Sequence, residues 1–259
     1  MSTASDLKIS HEGHVALVEI ARPPHNFFDF DLIQQIASTF EELDKNPSCR
    51  AIVLASEGTA FCAGANFNSP NDKISRPENP GTNPLYFEAI RIFSCKNPIV
   101  AAIQGAAVGG GLGLALVADF RVTCPEGRFT ANFNRLGFHP GFGLSVTLPR
   151  LVGIQKANLL FFTGRRVNGQ EALDMGLADL LVPQSEVREQ AMKLAKEIAV
   201  SAPLSVQSTR ATMRQGLVEA LQKAVAHESI EQNWQFKTED FKEGVKAMTE
   251  RREPHFQGQ

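Results

Sequence analysis

Ile99-Val-Ala-Ala-Ile103-Gln-Gly105-Ala-Ala-Val-Gly109-Gly-Gly111-Leu-Gly113-Leu-Ala-Leu-Val-Ala-Asp119 reads as a buried strand, a glycine turn and the exposed start of a helix. A strand-length apolar run follows Pro98, the segment Gly105 to Gly111 breaks it, and the apolar residues beyond are helical only if the first turn is nearly bare backbone. Three successive glycines let a ligand approach main-chain N–H groups with no Cβ in the way. The partial positive charge of a helix start favours negative charge at the same place. The same glycines also suit tight helix–strand packing with no ligand, and this stretch alone leaves both readings open.

The common glycine-loop motifs do not fit. The last glycine of G-x-G-x-x-G would fall on Leu114 or Leu116, and no Lys-Ser/Thr pair follows as a phosphate loop needs. Upstream, Ala51-Ile-Val-Leu-Ala55 reads as a second buried strand that runs through Glu57-Gly58 into Ala60-Phe-Cys-Ala-Gly64-Ala-Asn66. Two small-residue loops on one side of a sheet would bring two N–H donors onto a single oxygen, the arrangement that stabilises an oxyanion.

With these loops on the page, the chain resembles the enoyl-CoA hydratase/isomerase (crotonase) family over nearly its whole length. The pieces that carry the resemblance are Arg22-Pro23 with Asn26, Phe61-Cys-Ala-Gly-Ala65, Gly105 followed by Gly109-Gly-Gly111, Leu136-Gly137 with Pro140-Gly141, Thr163-Gly164 with Ala172 and Gly176-Leu177, and the tail Thr238-Glu-Asp240-Phe-Lys-Glu243-Gly244. The resemblance implies an α/β fold with a spiral core of β-β-α units over residues 1–200 and a helical region over 201–259 that assembles trimers, often paired into hexamers. It implies action on an acyl-CoA thioester as a lyase or isomerase, in fatty acid metabolism, with coenzyme A part of the substrate and no separate cofactor.

Matched motif to motif, the N–H groups of Ala65 and Gly110 fall on the family's oxyanion hole. Arg22, Ala63, Met248 and Arg251 fall on coenzyme A contacts; Arg251, in Glu250-Arg-Arg252-Glu, reads without the family as a solvated charge. The two glutamates of standard hydratases are replaced by Gly113 and Phe133, and the aspartate of a related hydrolase and dehalogenase by Gly141. Losing general acid–base residues worth ~10²–10⁴-fold each argues against efficient hydration of a straight-chain enoyl-CoA. His139, six residues beyond Phe133 in the loop bordering the acyl pocket, is a candidate replacement because its ordinary pKa suits proton transfer. Tyr86, where the dehalogenase has an active-site histidine, is the second; either residue also fits a structural role. Asn68 is a weaker polar candidate. Phe133 and the many phenylalanines near loop ends favour a bulky, aromatic or alicyclic acyl group. Double-bond migration, hydrolysis of a carbon–carbon bond in a cyclic β-keto acyl-CoA and a catalytically silent acyl-CoA-binding protein stand as alternatives, with a nucleotide-binding protein behind them.

At 259 residues and 43% apolar content the chain can bury one large core, and its formal charge of −2 gives no basic excess for nucleic acid or an anionic membrane. Cys49, Cys62, Cys95 and Cys124 lack metal or disulfide spacing and read as core fillers of a reducing cytosol. Met1 to Ser10 is short and polar without a targeting pattern, and no apolar run is long enough to span a membrane, so a cytoplasmic setting is expected.

Val15–Ile20 and Ala51–Ala55 are expected as parallel strands joined by a helix that starts at Asp29 or Asp31 and faces inward with Leu32, Ile36, Phe40 and Leu43. Asn66 to Asn83 reads as a mobile surface loop, and Asn83-Pro84 caps a helix carrying Leu85, Tyr86, Phe87, Ile90 and Phe93. Phe120–Cys124 and Arg128–Asn132 are expected as short strands, placing Asn132 and Asn134 opposite Phe133. Leu136 to Gly143 is expected as a loop, followed by helices at Gln155–Thr163 and Gln170–Met175, a strand at Asp179–Val182 and a helical remainder broken at Ser201-Ala-Pro203. Asp119 is expected to cap or pair at the end of the central helix.

Overall fold

The structure is a computed structural model and describes residues 6–67 and 83–259. The loop expected between Asn66 and Asn83, with the candidate Asn68, falls almost entirely outside the described residues. Among the described residues the ten strands are β1 Leu7–Glu12, β2 Val15–Ile20, β3 Ala51–Ser56, β4 Ala60–Cys62, β5 Ile99–Ile103, β6 Ala106–Val108, β7 Phe120–Thr123, β8 Arg128–Thr130, β9 Arg166–Asn168 and β10 Leu180–Leu181. Helices α1 Phe30–Lys45, α2 Pro84–Phe93, α3 Gly110–Ala115, α4 Leu144–Val152, α5 Ile154–Thr163 and α6 Gly169–Met175 interleave with them. Helices α7 Val187–Ala199, α8 Pro203–Met213, α9 Leu217–Gln235 and α10 Glu239–Glu250 close the chain.

One plan repeats along the middle of the chain. In β3 then β4, β5 then β6, and β7 then β8, the first strand of each pair joins a six-stranded sheet, ordered β1-β2-β3-β5-β7-β10, and the second a four-stranded sheet, ordered β4-β6-β8-β9. The stacked strands β3, β5 and β7 are parallel, as are β4, β6 and β8, so each turn of chain lies on the one before. β3 and β5 are buried at every residue, which is why both read as unbroken apolar runs rather than alternating ones.

Two of the glycines of the Ile99–Asp119 stretch exist for this stacking. A Cβ at Gly105 would lie 1.8 Å from the Thr59 carbonyl oxygen, and one at Gly111 2.1 Å from that of Cys62. The packing explanation therefore holds at both positions. Between them the structure differs from the expected single turn: β6 intervenes, and the helix that follows spans only six residues.

Helix α1 starts as expected, with the Asp29 carboxylate accepting the Leu32 N–H at 2.9 Å and Leu32, Ile33, Ile36, Phe40 and Leu43 buried. Asn83 caps α2 and Pro84 opens it, but Phe87 points outward at 56% exposure. Asn168 and Glu171 form a capping box on α6, and Gly164 and Gly176 end α5 and α6 in the left-handed region. All four cysteines are free and buried.

Three differences have local causes. The polar N-terminal segment forms β1, an antiparallel strand on β2 whose inward contribution is Leu7 alone, too weak a pattern to read from residues. β8 ends at Thr130, and Asn132–Leu136 forms a 3₁₀ helix, which replaces the strand alternation expected at Asn132 to Asn134. α4 fills the interval after Gly143, for which no element was expected; Pro149 lies inside its last turn.

The tail helices are tied to the core through charge. Asp119 accepts the Ile99 N–H at 2.8 Å and pairs with Arg210 of α8 and with Arg214, the C-cap of that helix, each at 2.8 Å, so its expected pairing role is what the structure shows. Arg214 also caps the Val117 carbonyl at 2.8 Å. Burial pushes the Arg214 guanidinium down to about 10, opposed by Asp119.

Candidate active site

The two strand-end loops that follow β4 and β6 face one pocket. Asn26 sets the first loop: it is fully buried at a left-handed φ of 49°, and its amide donates to the Glu57 and Ala60 carbonyls at 2.8 Å while its carbonyl accepts the Arg22 N–H at 3.0 Å. The chain from His25 to Phe28 then runs beside Ala63 to Ala65. The Ala63 N–H donates to the His25 carbonyl at 2.9 Å and the Phe28 N–H to the Gly64 carbonyl at 3.0 Å. Gly64 has φ 84°, and a Cβ there would lie 2.7 Å from the Val108 oxygen and 3.8 Å from the Gly110 nitrogen, which places the two loops against each other. Among the described residues neither the Ala65 nor the Gly110 N–H has a hydrogen-bond partner. Both residues line the pocket.

The pocket holds about 560 Å³ of space, part of it open to solvent. Ala63 to Ala65 and Val108 to Gly110 form one side; Phe28, Phe67, Phe133, Phe138 and Phe142 form much of the rest, with Met248 of α10 and the loop residue Gly141. Phe138 is the hub of an aromatic cluster, edge-on to Phe67 and Phe133 with ring centroids 5.4 Å from both, and tilted against Phe236 at 5.0 Å. Among the described lining residues the only polar side chains are Tyr86 and Asn132, and no carboxylate, amine, guanidinium, imidazole or thiol reaches the wall.

The positions matched to the missing acids are occupied by rings. A Cβ at Gly113 would lie 2.7 to 2.9 Å from Cδ1, Cβ and Cγ of Phe142, and Phe133 is itself buried at 5% exposure. At Gly141 a Cβ would lie 2.0 Å from the Tyr86 hydroxyl oxygen and 2.5 Å from Nε2 of Gln232.

Tyr86 lines the pocket, 5% exposed, and donates its hydroxyl proton to Oε1 of Gln232 at 2.8 Å. Burial, reinforced by the nearby Glu228, raises its phenol well above the usual range, so it stays protonated. His139 does not line the pocket. Its Nδ1 lies 2.8 Å from the Pro140 carbonyl oxygen, and its ring packs edge-on against His227 at 5.7 Å.

Of the residues matched to coenzyme A contacts, Ala63 and Met248 line the pocket, while Arg22 and Arg251 do not. Arg22 is engaged by Asp6 at 2.6 Å and Asp29 at 2.8 Å. Arg251 is the C-cap of α10 at a left-handed φ of 55°, exposed, three residues beyond Met248, and its side chain makes no ion pair among the described residues. Sequence reasoning missed Asn132 as a pocket residue because it placed that residue on a strand. It also missed Gln232, Gln235 and Glu228, which approach from α9; a polar stripe at four- and three-residue spacing was the available signal.

Comparison with known proteins agrees with this geometry. The profile of the enoyl-CoA hydratase/isomerase family matches residues 10–259. The short-chain-enoyl-CoA hydratase of Clostridium acetobutylicum is 31% identical over 247 residues, covering 94% of each chain. The 2,3-dehydroadipyl-CoA hydratase of Escherichia coli K12 is 30% identical over 255 residues, covering 98% of this chain and 99% of that one. A crystal structure of an enoyl-CoA hydratase/isomerase from Pseudoalteromonas atlantica T6c superposes with a TM-score of 0.88 at 31% identity, covering 98% of this chain and all of its own. The stacked strand–strand–helix turns are thus the crotonase fold. The chain belongs to the enoyl-CoA hydratase/isomerase family.

Proposed function

We propose that this chain binds an acyl-CoA thioester with its carbonyl oxygen between the Ala65 and Gly110 N–H groups, and that it acts on the acyl group without the carboxylate pair of a standard hydratase. One observation carries the reading: Ala65 and Gly110, whose N–H groups have no hydrogen-bond partner among the described residues, line a pocket whose described wall has no carboxylate, with the Phe142 ring where a Gly113 side chain would stand. One such donor is worth ~3–4 kcal/mol of transition-state stabilisation. Adding water to an enoyl-CoA, or to the ketone of a cyclic β-keto acyl-CoA on the way to carbon–carbon bond hydrolysis, needs a base to activate the water, whereas double-bond migration only moves a proton; migration is therefore the favoured lyase or isomerase reaction and hydrolytic ring cleavage the alternative, each passing through a stabilised oxyanion.

Tyr86 is the favoured proton-bearing group because it reaches the pocket, and the placement of His139 weighs against direct proton transfer from its ring. Coenzyme A enters as part of the substrate, with Ala63 and Met248 beside it, Arg251, which makes no ion pair among the described residues, meeting a phosphate, and Arg22 acting by holding the Asn26 turn. Leu204, Met213, Ile230 and Trp234 on the tail helices stand more than half exposed, which supports assembly of the 201–259 region into trimers or hexamers. Among the described residues no helix is long and apolar enough to cross a membrane, and a cytoplasmic setting is part of the proposal.

A catalytically silent acyl-CoA-binding protein is the second reading, favoured by the commitment of the Tyr86 proton to Gln232. The test is mass spectrometry of the protein incubated in D₂O with crotonyl-CoA, a β,γ-unsaturated acyl-CoA and a cyclic β-keto acyl-CoA. Deuterium at the α-carbon, a shifted double bond or a ring-opened product supports the enzyme. Binding with every thioester unchanged supports the silent reading, and rapid hydration of crotonyl-CoA overturns the proposal.

A further inference from the structure

We propose that Phe142 sets the size of acyl group the pocket accepts, and that helix α9 holds it in that position. This rests on the acyl-CoA reading above and names the residue that limits the acyl end of that site. Phe142 is 1% exposed and adopts a left-handed φ of 63°. That conformation is unfavourable for a residue with a Cβ, so the surroundings must impose it.

Three side chains on one face of α9 impose it. Glu228 accepts the Gly143 N–H at 2.9 Å, the Ser145 N–H at 3.2 Å and the Ser145 hydroxyl at 2.5 Å. Gln232 donates to the His139 carbonyl at 2.9 Å, and Gln235 accepts the His139 N–H at 2.5 Å. The backbone on both sides of Phe142 is therefore fastened to α9. Moving the loop away would unpair the buried Glu228 and Gln232, which is costly for groups removed from water.

Held there, the Phe142 ring stands between the pocket and α3. It occupies the space beside Gly113, lies 3.6 Å from where a Cβ at Gly110 would be, and packs on Phe28 with centroids 5.6 Å apart. Phe28 in turn covers Gly110, since a Cβ there would lie 2.4 Å from its Cζ. Two rings thus close the end of the pocket next to the Gly110 N–H. Shortening Phe142 opens space toward α3 that a longer acyl chain can fill, and each further buried methylene tightens binding ~4-fold.

The experiment is isothermal titration of the full chain and of Phe142→Ala and Phe142→Leu with saturated acyl-CoAs from acetyl to dodecanoyl. In the unaltered protein affinity rises with chain length to a limit. In Phe142→Ala that limit moves out by two or more carbons, with ~10-fold or greater tightening for the first chain beyond it, and Phe142→Leu falls between. Should Phe142→Ala fail to fold, the Phe142→Leu shift decides. An unmoved limit in folded variants overturns the role of Phe142 and leaves the acyl-CoA reading standing. An unaltered protein that binds none of the thioesters overturns both.

Discussion

Gly113→Ala measured in two backgrounds isolates the contact between α3 and the Phe142 ring. In the unaltered chain the new methyl meets three Phe142 atoms at 2.7 to 2.9 Å, closer than carbon atoms approach, so the ring or the helix must shift. Overpacking of this kind costs about 2 kcal/mol. Replacing a helical glycine by alanine returns about 1 kcal/mol. The net expectation is destabilisation by about 1 kcal/mol, a fall of ~2–4 °C in Tm per kcal/mol for a chain of this size.

Phe142→Gly removes all three opposing atoms at once. It loses the ring's burial, about 3–5 kcal/mol, and relieves about 1 kcal/mol of left-handed strain. In that background Gly113→Ala keeps only its helical gain and becomes stabilising by about 1 kcal/mol. The coupling between the two sites is then about 2 kcal/mol, with a change of sign. Urea denaturation of the four proteins, at one fixed protomer concentration because assembly shifts apparent stability, reads it directly. Equal effects of Gly113→Ala in both backgrounds would refute the assignment of the ring to that space.

Asp119→Asn is expected to destabilise the fold by about 3 kcal/mol, the low end for a buried pair, because it leaves the partly buried Arg210 and Arg214 without their shared counter-charge; urea denaturation measures it. Tyr86→Phe should leave Gln232 Oε1 unpaired at about 1–3 kcal/mol of stability. If Tyr86 carries the proton, turnover on whichever thioester proves reactive should also fall ~10²–10⁴-fold, and unchanged turnover in a folded variant removes it from the chemistry. The Arg252 guanidinium, followed by the His255 N–H, pulls the Glu243 carboxyl from 4.5 down to about 2. A lowered folded pKa means that the contact stabilises fully above about 4.5 and loses that contribution as pH falls through about 2, so the protection of the His255 amide, its exchange rate taken relative to the intrinsic rate at each pH, should fall across that window and stay flat above it. Light scattering should give three or six times the 28.3 kDa chain mass, and a monomer would contradict assembly through the tail helices.

The core strands were legible because β3 and β5 are buried on both faces and so carry unbroken apolar runs with clear turn residues at their ends. Capped helices were legible for the same local reason: Asp29 and Asn83 each announce a start that their own side chains then make. What could not be read is set by distant partners. β1 exists through its pairing with β2, and β6 and β9 through the four-stranded sheet, none of which leaves a local period. The 3₁₀ turn at Asn132 overrode a plausible alternation and moved that residue into the pocket wall. The candidate site was half legible: the two small-residue loops stood in the residues and the absence of carboxylates followed from the family resemblance, whereas the filling of Gly113 by Phe142 and the grip of α9 on its loop are contacts between segments far apart in the chain.

The central claim is that two backbone N–H groups grip the thioester carbonyl. Isotope-edited infrared difference spectroscopy of a slowly reacting acyl-CoA, carrying ¹³C at the thioester carbonyl and bound to the full chain, observes that bond itself. Donation from Ala65 and Gly110 weakens the C=O bond, so the account predicts a carbonyl band moved to lower frequency on binding, as charge is drawn onto the oxygen. A bound thioester whose carbonyl band stays at its position in water, or moves to higher frequency as it would in an apolar pocket without donors, would contradict it.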